Sequence, residues 1–235
     1  TIDGCLFPTS DGAVVLADRP NIYKVYADGN YECVGKLSAD EKFLGEDLIG
    51  RGTTLYKNGK KVADKLYGLQ SVVELADGKF VALCIGAKST KDVWVVNKGC
   101  GALAVAPDYR LCVTGEKNTH HLISTIINKD GEMLYSEPFY HLHDLSNGVD
   151  KPTRGMAFDT QGNLYVATPM GVQVADHNGR VRAILSLPAG QVHSLAFSGN
   201  YLYVRCGKKI FVRKMNAIGH NPKQGAMSYQ SQGQG

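Results

Sequence analysis

Residues 154–185 read RGMAFDTQGNLYVATPMGVQVADHNGRVRAIL, and this stretch decides the fold. Short apolar runs are separated by Gln161-Gly162-Asn163, Pro169-Met170-Gly171 and Asn178-Gly179, where glycine supplies the positive φ that tight hairpin turns require. The stretch is therefore one complete four-stranded antiparallel unit. Such a unit cannot bury both faces alone and must stack against copies of itself.

Working outward, the copies are present and in phase. Residues 193–215, HSLAFSGNYLYVRCGKKIFVRKM, repeat the order of apolar strand, glycine turn and Tyr/Val-rich strand. Residues 101–137 do the same with a longer central connection, as do 71–99 and 4–37. Residues 46–68 are the least regular, yet Tyr56-Lys57-Asn58-Gly59-Lys60 still marks a hairpin. Six units at this spacing predict an all-β fold, a six-bladed β-propeller of four-stranded antiparallel blades. The blades are expected at about 1–36, 37–67, 68–100, 101–150, 151–189 and 190–217. Residues 218–235, rich in Gly, Gln and Ser, read as a polar tail that wraps the surface or is disordered. Residues 38–47 carry charges without an apolar stripe and read as a loop with one turn of helix.

Composition narrows the function classes. The chain has 235 residues, 43% hydrophobic and 20% charged, which suits one globular β domain without a membrane span. A formal net charge of +4 is mild, and the lysines near 57–65 and 208–214 alternate with apolar residues as the solvated edges of outer strands do. No RNA-binding motif or aromatic platform accompanies them, so nucleic acid is not the expected partner. Cys5, Cys33, Cys84, Cys100, Cys112 and Cys206 show no metal-ligand spacing, and Cys84, Cys112 and Cys206 read as buried hydrophobes. The start at Thr1 suggests a mature or excised fragment, which would be periplasmic or secreted if a leader has been removed. Disulfide state and oligomeric state are left open.

The stretch 154–174, with Gly-Met-Ala before Asp-x-x-Gly-Asn-Leu-Tyr-Val-Ala and Gly-Val-x-Val, resembles the senescence marker protein/gluconolactonase/luciferin-regenerating enzyme family. The opening, Asp3-Gly4-Cys5-Leu6-Phe7 before Ser10-Asp11-Gly12, and the close, IFVRKMNAIGHNP, are similar to that family too. The resemblance implies a sugar-lactone or ester hydrolase holding calcium or zinc at one mouth of its channel through a Glu, two Asn and an Asp. Oxygen ligands of this kind suit a hard cation that polarises a lactone carbonyl.

Carried over position by position, the implied ligand set is degenerate. The Glu falls on Asp3, the first Asn near Gln70, the second Asn on Gly101, and the Asp on Arg154. A guanidinium has no lone pair to offer and repels the ion it would replace. The substitutions therefore argue against an ion at the family's site, leaving Asp3 as its one candidate ligand. Arg154 instead suggests an anion clamp, or a structural pair with Asp3. Gln70, His193 and Arg154 enter equivalent innermost strands and, with Asp3, form the expected ligand-binding ring. The expected ligand is a small molecule such as a sugar acid or lactone. The alternative is a noncatalytic propeller binding a carbohydrate-derived or anionic ligand or a protein.

Other polar groups are weaker candidates. Glu116, His120 and His121 share one connection, but adjacent histidines on a strand point to opposite faces. His141, His143 and Asp144 have the alternate spacing that places two imidazoles on one face, a metal pair or a covering loop. Glu46-Asp47 reads as solvated charge. Nucleophile-elbow, P-loop and dinucleotide-binding motifs do not occur in the sequence.

Overall fold

The computed structural model describes residues 4–116, 121–143, 153, 155–188 and 191–227. Six sheets stand in a ring, the arrangement of a six-bladed β-propeller. The first blade is built from Phe7–Pro8, Val14–Asp18, Asn21–Val25 and Tyr31–Lys36, and the second from Glu41–Phe43, Leu48–Arg51, Thr54–Lys57 and Lys60–Ala63. The fourth holds Cys100–Val105, Leu111–Gly115, His121–Ile127 and Met133–His141; the fifth holds Met156–Phe158, Leu164–Thr168, Gly171–Ala175 and Val181–Leu185. Two blades have three strands among the described residues. The sixth is Ser194–Ser198, Tyr201–Cys206 and Lys209–Lys214. The third is Ser71–Glu74, Phe80–Leu83 and Val93–Val96, and its last strand runs parallel to the middle one, Phe80 opposite Val93. No helix among the described residues is long and apolar enough to cross a membrane.

The ring follows from where apolar side chains go. Six buried clusters form, each between adjacent blades, from Val15 with Phe43 around to Leu6 and Val14 with Tyr203. The last of these joins the sixth blade to the first and closes the circle. Leu55, Leu83 and Leu164 are fully enclosed, and burying such a side chain is worth about 1.5–3 kcal/mol.

The turns recur because of one local device. Asp159 Oδ1 accepts the backbone N–H groups of Gln161 and Asn163, both at 2.9 Å, while its Oδ2 accepts the Asn163 amide at 2.8 Å. A short carboxylate held this way mimics a backbone turn. Asp28, Asp77, Asp108 and Asp176 each accept the backbone N–H two residues on. In most copies glycine takes the positive φ that follows, but in the fourth blade Tyr109 does so at φ 62°.

One stretch differs from its sequence reading, and another is given a definite course. Within 38–47, Glu41–Phe43 is the innermost strand of the second blade, not a helical turn. Three residues are too few to show alternation, and the strand is recognisable only through its pairing with Ile49–Arg51. Residues 218–227 run across the end of the channel where the innermost strands finish. The Thr160 N–H donates to the Ile218 carbonyl at 2.8 Å, His220 N–H to the Phe158 carbonyl at 2.8 Å, and Met227 N–H to the Pro107 carbonyl at 2.7 Å. Asn221 caps the short 3₁₀ turn Pro222–Gln224, and the Tyr109 hydroxyl donates to the Pro222 carbonyl.

Candidate functional site

The innermost strands of all six blades begin at one end of the channel and finish at the other. They enclose a cavity of about 690 Å³, bounded at the finishing end by residues 220–224. The starting end is the entry and the finishing end the floor.

At the entry, blades are stitched edge to edge. The Gly101 N–H donates to Gln70 Oε1 at 3.0 Å, Ala102 N–H to the Thr153 carbonyl at 3.0 Å, and Leu6 N–H to Ser194 Oγ at 2.9 Å. A Cβ on Gly155 would come within 2.4 Å of the Leu195 backbone nitrogen, so this glycine is what lets the fifth and sixth blades approach. Gln70 lines the cavity, and its amide N–H groups have no partner among the described residues.

Beside Gln70 stands a residue the sequence reading missed. Lys42, on Glu41–Phe43, lines the cavity and donates to the Leu69 carbonyl. Burial holds its ammonium below the usual lysine range. It is the one charged side chain lining the entry among the described residues; the carboxylates on the cavity wall, Glu46, Asp47 and Glu74, lie at the floor.

His193 is exposed, outside the residues that line the cavity. Its Nδ1 accepts the Gly207 N–H at 3.0 Å, which assigns the proton of a neutral ring to Nε2. The space a Gly4 side chain would need is filled by the Arg205 guanidinium, whose Nε donates to the Gly207 carbonyl at 2.8 Å. Asp3 and Arg154 lie outside the described residues, as do His120 and Asp144.

The family's divalent ion does not fit the donors described at this end. Gln70 has its carbonyl oxygen engaged by Gly101, Gly101 has no side chain, and a half-buried lysine stands alongside. No group of three or more His, Cys, Asp or Glu that could hold an ion occurs among the described residues.

At the floor, charge is paired. Glu74, whose side chain is 6% exposed, contacts the Lys57 ammonium, and its Oε2 lies 3.0 Å from Lys223 Nζ. Lys223 also lies 3.3 Å from Asp47, and Lys57 lies 3.7 Å from Asp47. Burial pushes the Lys223 ammonium down, but Glu74 and Asp47 outweigh it and leave it above the usual lysine range. Asp47 is thus part of an ion group rather than a solvated charge, while Glu46 is exposed and accepts the Ser10 N–H. The same strap places His220 on the cavity wall at 9% exposure, with neither ring nitrogen hydrogen-bonded to the protein.

The other histidines fall elsewhere. His121 Nε2 and His141 Nδ1 lie 2.8 Å apart as directly opposed residues of neighbouring strands. His143 lies just past the strand, its backbone clamped by buried Gln173, which accepts its N–H at 2.8 Å and donates to its carbonyl at 2.6 Å. All six cysteines are free. Burial pushes the Cys84 thiol up to about 11, against the pull of Lys42, and Cys112 up to about 12, so neither is a thiolate at neutral pH.

The fold is that of the gluconolactonase and luciferin-regenerating enzyme propellers. A gluconolactonase from Xanthomonas campestris superposes with a TM-score of 0.67 at 12% identity, covering 92% of this chain and 85% of that one. A luciferin-regenerating enzyme gives 0.64 at 14% identity, covering 97% and 96%. A virginiamycin B lyase from Staphylococcus aureus gives 0.53 at 12% identity, covering 92% and 82%. The chain is a gluconolactonase-like β-propeller in architecture, and at these identities the likeness speaks for the fold alone. Neither a family model nor a curated protein matches the sequence.

Proposed function

We propose that this propeller takes a sugar lactone, or the sugar acid it opens to, at the entry end of its channel and hydrolyses the lactone without a divalent ion there. The observation that supports this is the polarity of the channel: at the entry the described lining offers the Lys42 ammonium and the Gln70 amide donors and no carboxylate. Such a surface suits a carbonyl or carboxylate oxygen, not a cation.

In the reaction, water bonds to the lactone carbonyl carbon and negative charge builds on the carbonyl oxygen. Lys42 and Gln70 donate to that oxygen as the charge grows. The ring C–O bond then breaks, and the ring oxygen takes up the proton that the water gives up. Donors placed for a developing oxyanion are worth about 10²–10³ in rate each where water is excluded. Arg154 and Asp3 belong to this proposal through their sequence positions beside Gly155 and Gly4.

A second reading, binding without turnover, is favoured by one observation: no carboxylate or imidazole able to act as general base lines the entry among the described residues. Chelator-treated protein separates the readings. Protein-dependent opening of gluconolactone in a pH-stat supports the hydrolase. Gluconate binding by calorimetry without opening supports the binder, and neither result would remove both.

A further inference from the structure

We infer that His121 and His141, opposed on the two outer strands of the fourth blade, form a binding site for a copper(II) ion outside the channel.

The strand register brings the two rings together. Where His121–Ile127 pairs with Met133–His141, Ser124 faces Glu137 and Ile123 faces Pro138. Continued unchanged, that register would set His121 against Tyr140 and carry His141 past its partner. Instead Leu122 faces Tyr140, so Phe139 is an extra residue in the outer strand, a β-bulge of the kind that re-aims a side chain. Leu122 and Tyr140 are both buried in the cluster between the fourth and fifth blades, which fixes the shifted register. One step on, His121 and His141 face each other on the opposite side of the sheet. His121 is half-buried and His141 exposed, so an ion can reach them from solvent. Neither lines the channel cavity.

The spacing selects the ion. His121 Nε2 and His141 Nδ1 lie 2.8 Å apart. Two nitrogens each about 2.0 Å from one ion stand about 2.8 Å apart at the right angle of a tetragonal copper(II) site, and about 3.3 Å apart at the tetrahedral angle that zinc takes. Copper(II) also heads the affinity order of divalent ions at nitrogen ligands, whereas calcium takes oxygen. As neutral rings the two share a single hydrogen bond, which at an exposed place adds little to stability. For both to bind, the donating ring moves its proton to its other nitrogen, so each facing atom presents a lone pair and both rings stay neutral. No third His, Cys, Asp or Glu completes a cluster among the described residues, which leaves the remaining positions on the ion to water.

The test is titration of copper(II) into the untagged full chain, read by calorimetry and electron paramagnetic resonance. Wild-type protein should bind a single copper(II) at the pair, with the spectrum of two imidazole nitrogens on the ion. His121→Gln and His141→Gln should each weaken binding at least about tenfold and leave the spectrum of one nitrogen. His177, an exposed histidine in a turn of the fifth blade, is the control, and His177→Gln should bind as wild type does. Zinc should bind at least about tenfold more weakly than copper(II). Thermal unfolding without metal checks that each variant is folded. Unchanged copper(II) affinity in either pair variant, an equal loss in His177→Gln, or zinc bound as tightly as copper(II) would each overturn the inference.

Discussion

The two ends of the channel are built from the same six strands yet treat charge in opposite ways. At the floor, two carboxylates and two lysines are drawn together by the C-terminal strap. At the entry, a partly buried lysine meets only a backbone carbonyl, and an amide keeps its donors free of the described protein. Paired charges at the floor hold the structure closed. The entry keeps a cation at some cost in desolvation, the usual mark of a place where stability yields to ligand binding.

The sharpest way to break this contrast is to force the entry apart. Gly155→Ala places a methyl group against the Leu195 and Ser194 backbones, which cannot yield as a flexible side chain would. Loss of about 1–3 kcal/mol is expected from denaturant unfolding, as for other overpacked sites. An unchanged midpoint would show that the blades are not in contact there.

At the floor, Lys223→Met leaves Glu74 enclosed with only Lys57. Breaking a fully buried pair costs about 3–5 kcal/mol, but the Lys223 side chain is 42% exposed and Lys57 remains, so about 1 kcal/mol is expected. A neutral result would mean that the strap is held by its backbone bonds alone.

His220 gives the floor a pH dependence. Its folded-state pKa is lowered by burial, with Asp108 opposing, so below its ordinary value of 6.5 the unfolded chain binds a proton that the folded chain refuses. Stability from this group is therefore present above pH 6.5 and declines as pH falls below it. His220→Gln should flatten that part of a stability-against-pH curve, and an identical slope in the variant would contradict the assignment.

The smallest expected effect is that of metal. Calcium or zinc added to chelator-treated protein should leave the unfolding temperature unmoved, since an ion stabilises only through sites that bind it. A rise that is lost in Asp3→Ala would restore an ion to the entry.

Much of the scaffold was legible because its signals are local. The Asp-x-x-Gly-Asn turn and the alternating strands of residues 154–185 carry their reasons within a few residues, and the Asx turns repeat around the ring. Gln70 and Gly101 were both named through the family resemblance, and the bond between them is visible only in the structure. What was not legible depends on partners far away in sequence. Lys42 sits on a three-residue strand whose identity lies in its pairing with the next. His220 lies in a stretch without apolar periodicity, placed by bonds to Phe158 and its neighbours. His121 meets His141 only because the register between their strands shifts twice.

The most direct test of the central claim applies one substitution at both ends. Lys42→Met and Lys223→Met are compared with wild type for stability and for gluconate affinity in chelator. Lys42→Met should change stability by no more than about 0.5 kcal/mol and weaken gluconate about tenfold or more, since the half-buried charge costs some stability and serves the ligand. Lys223→Met should lower stability and leave gluconate affinity as it was. If Lys42→Met binds gluconate as wild type does, or if wild-type binding needs calcium, the entry is not the anion site described.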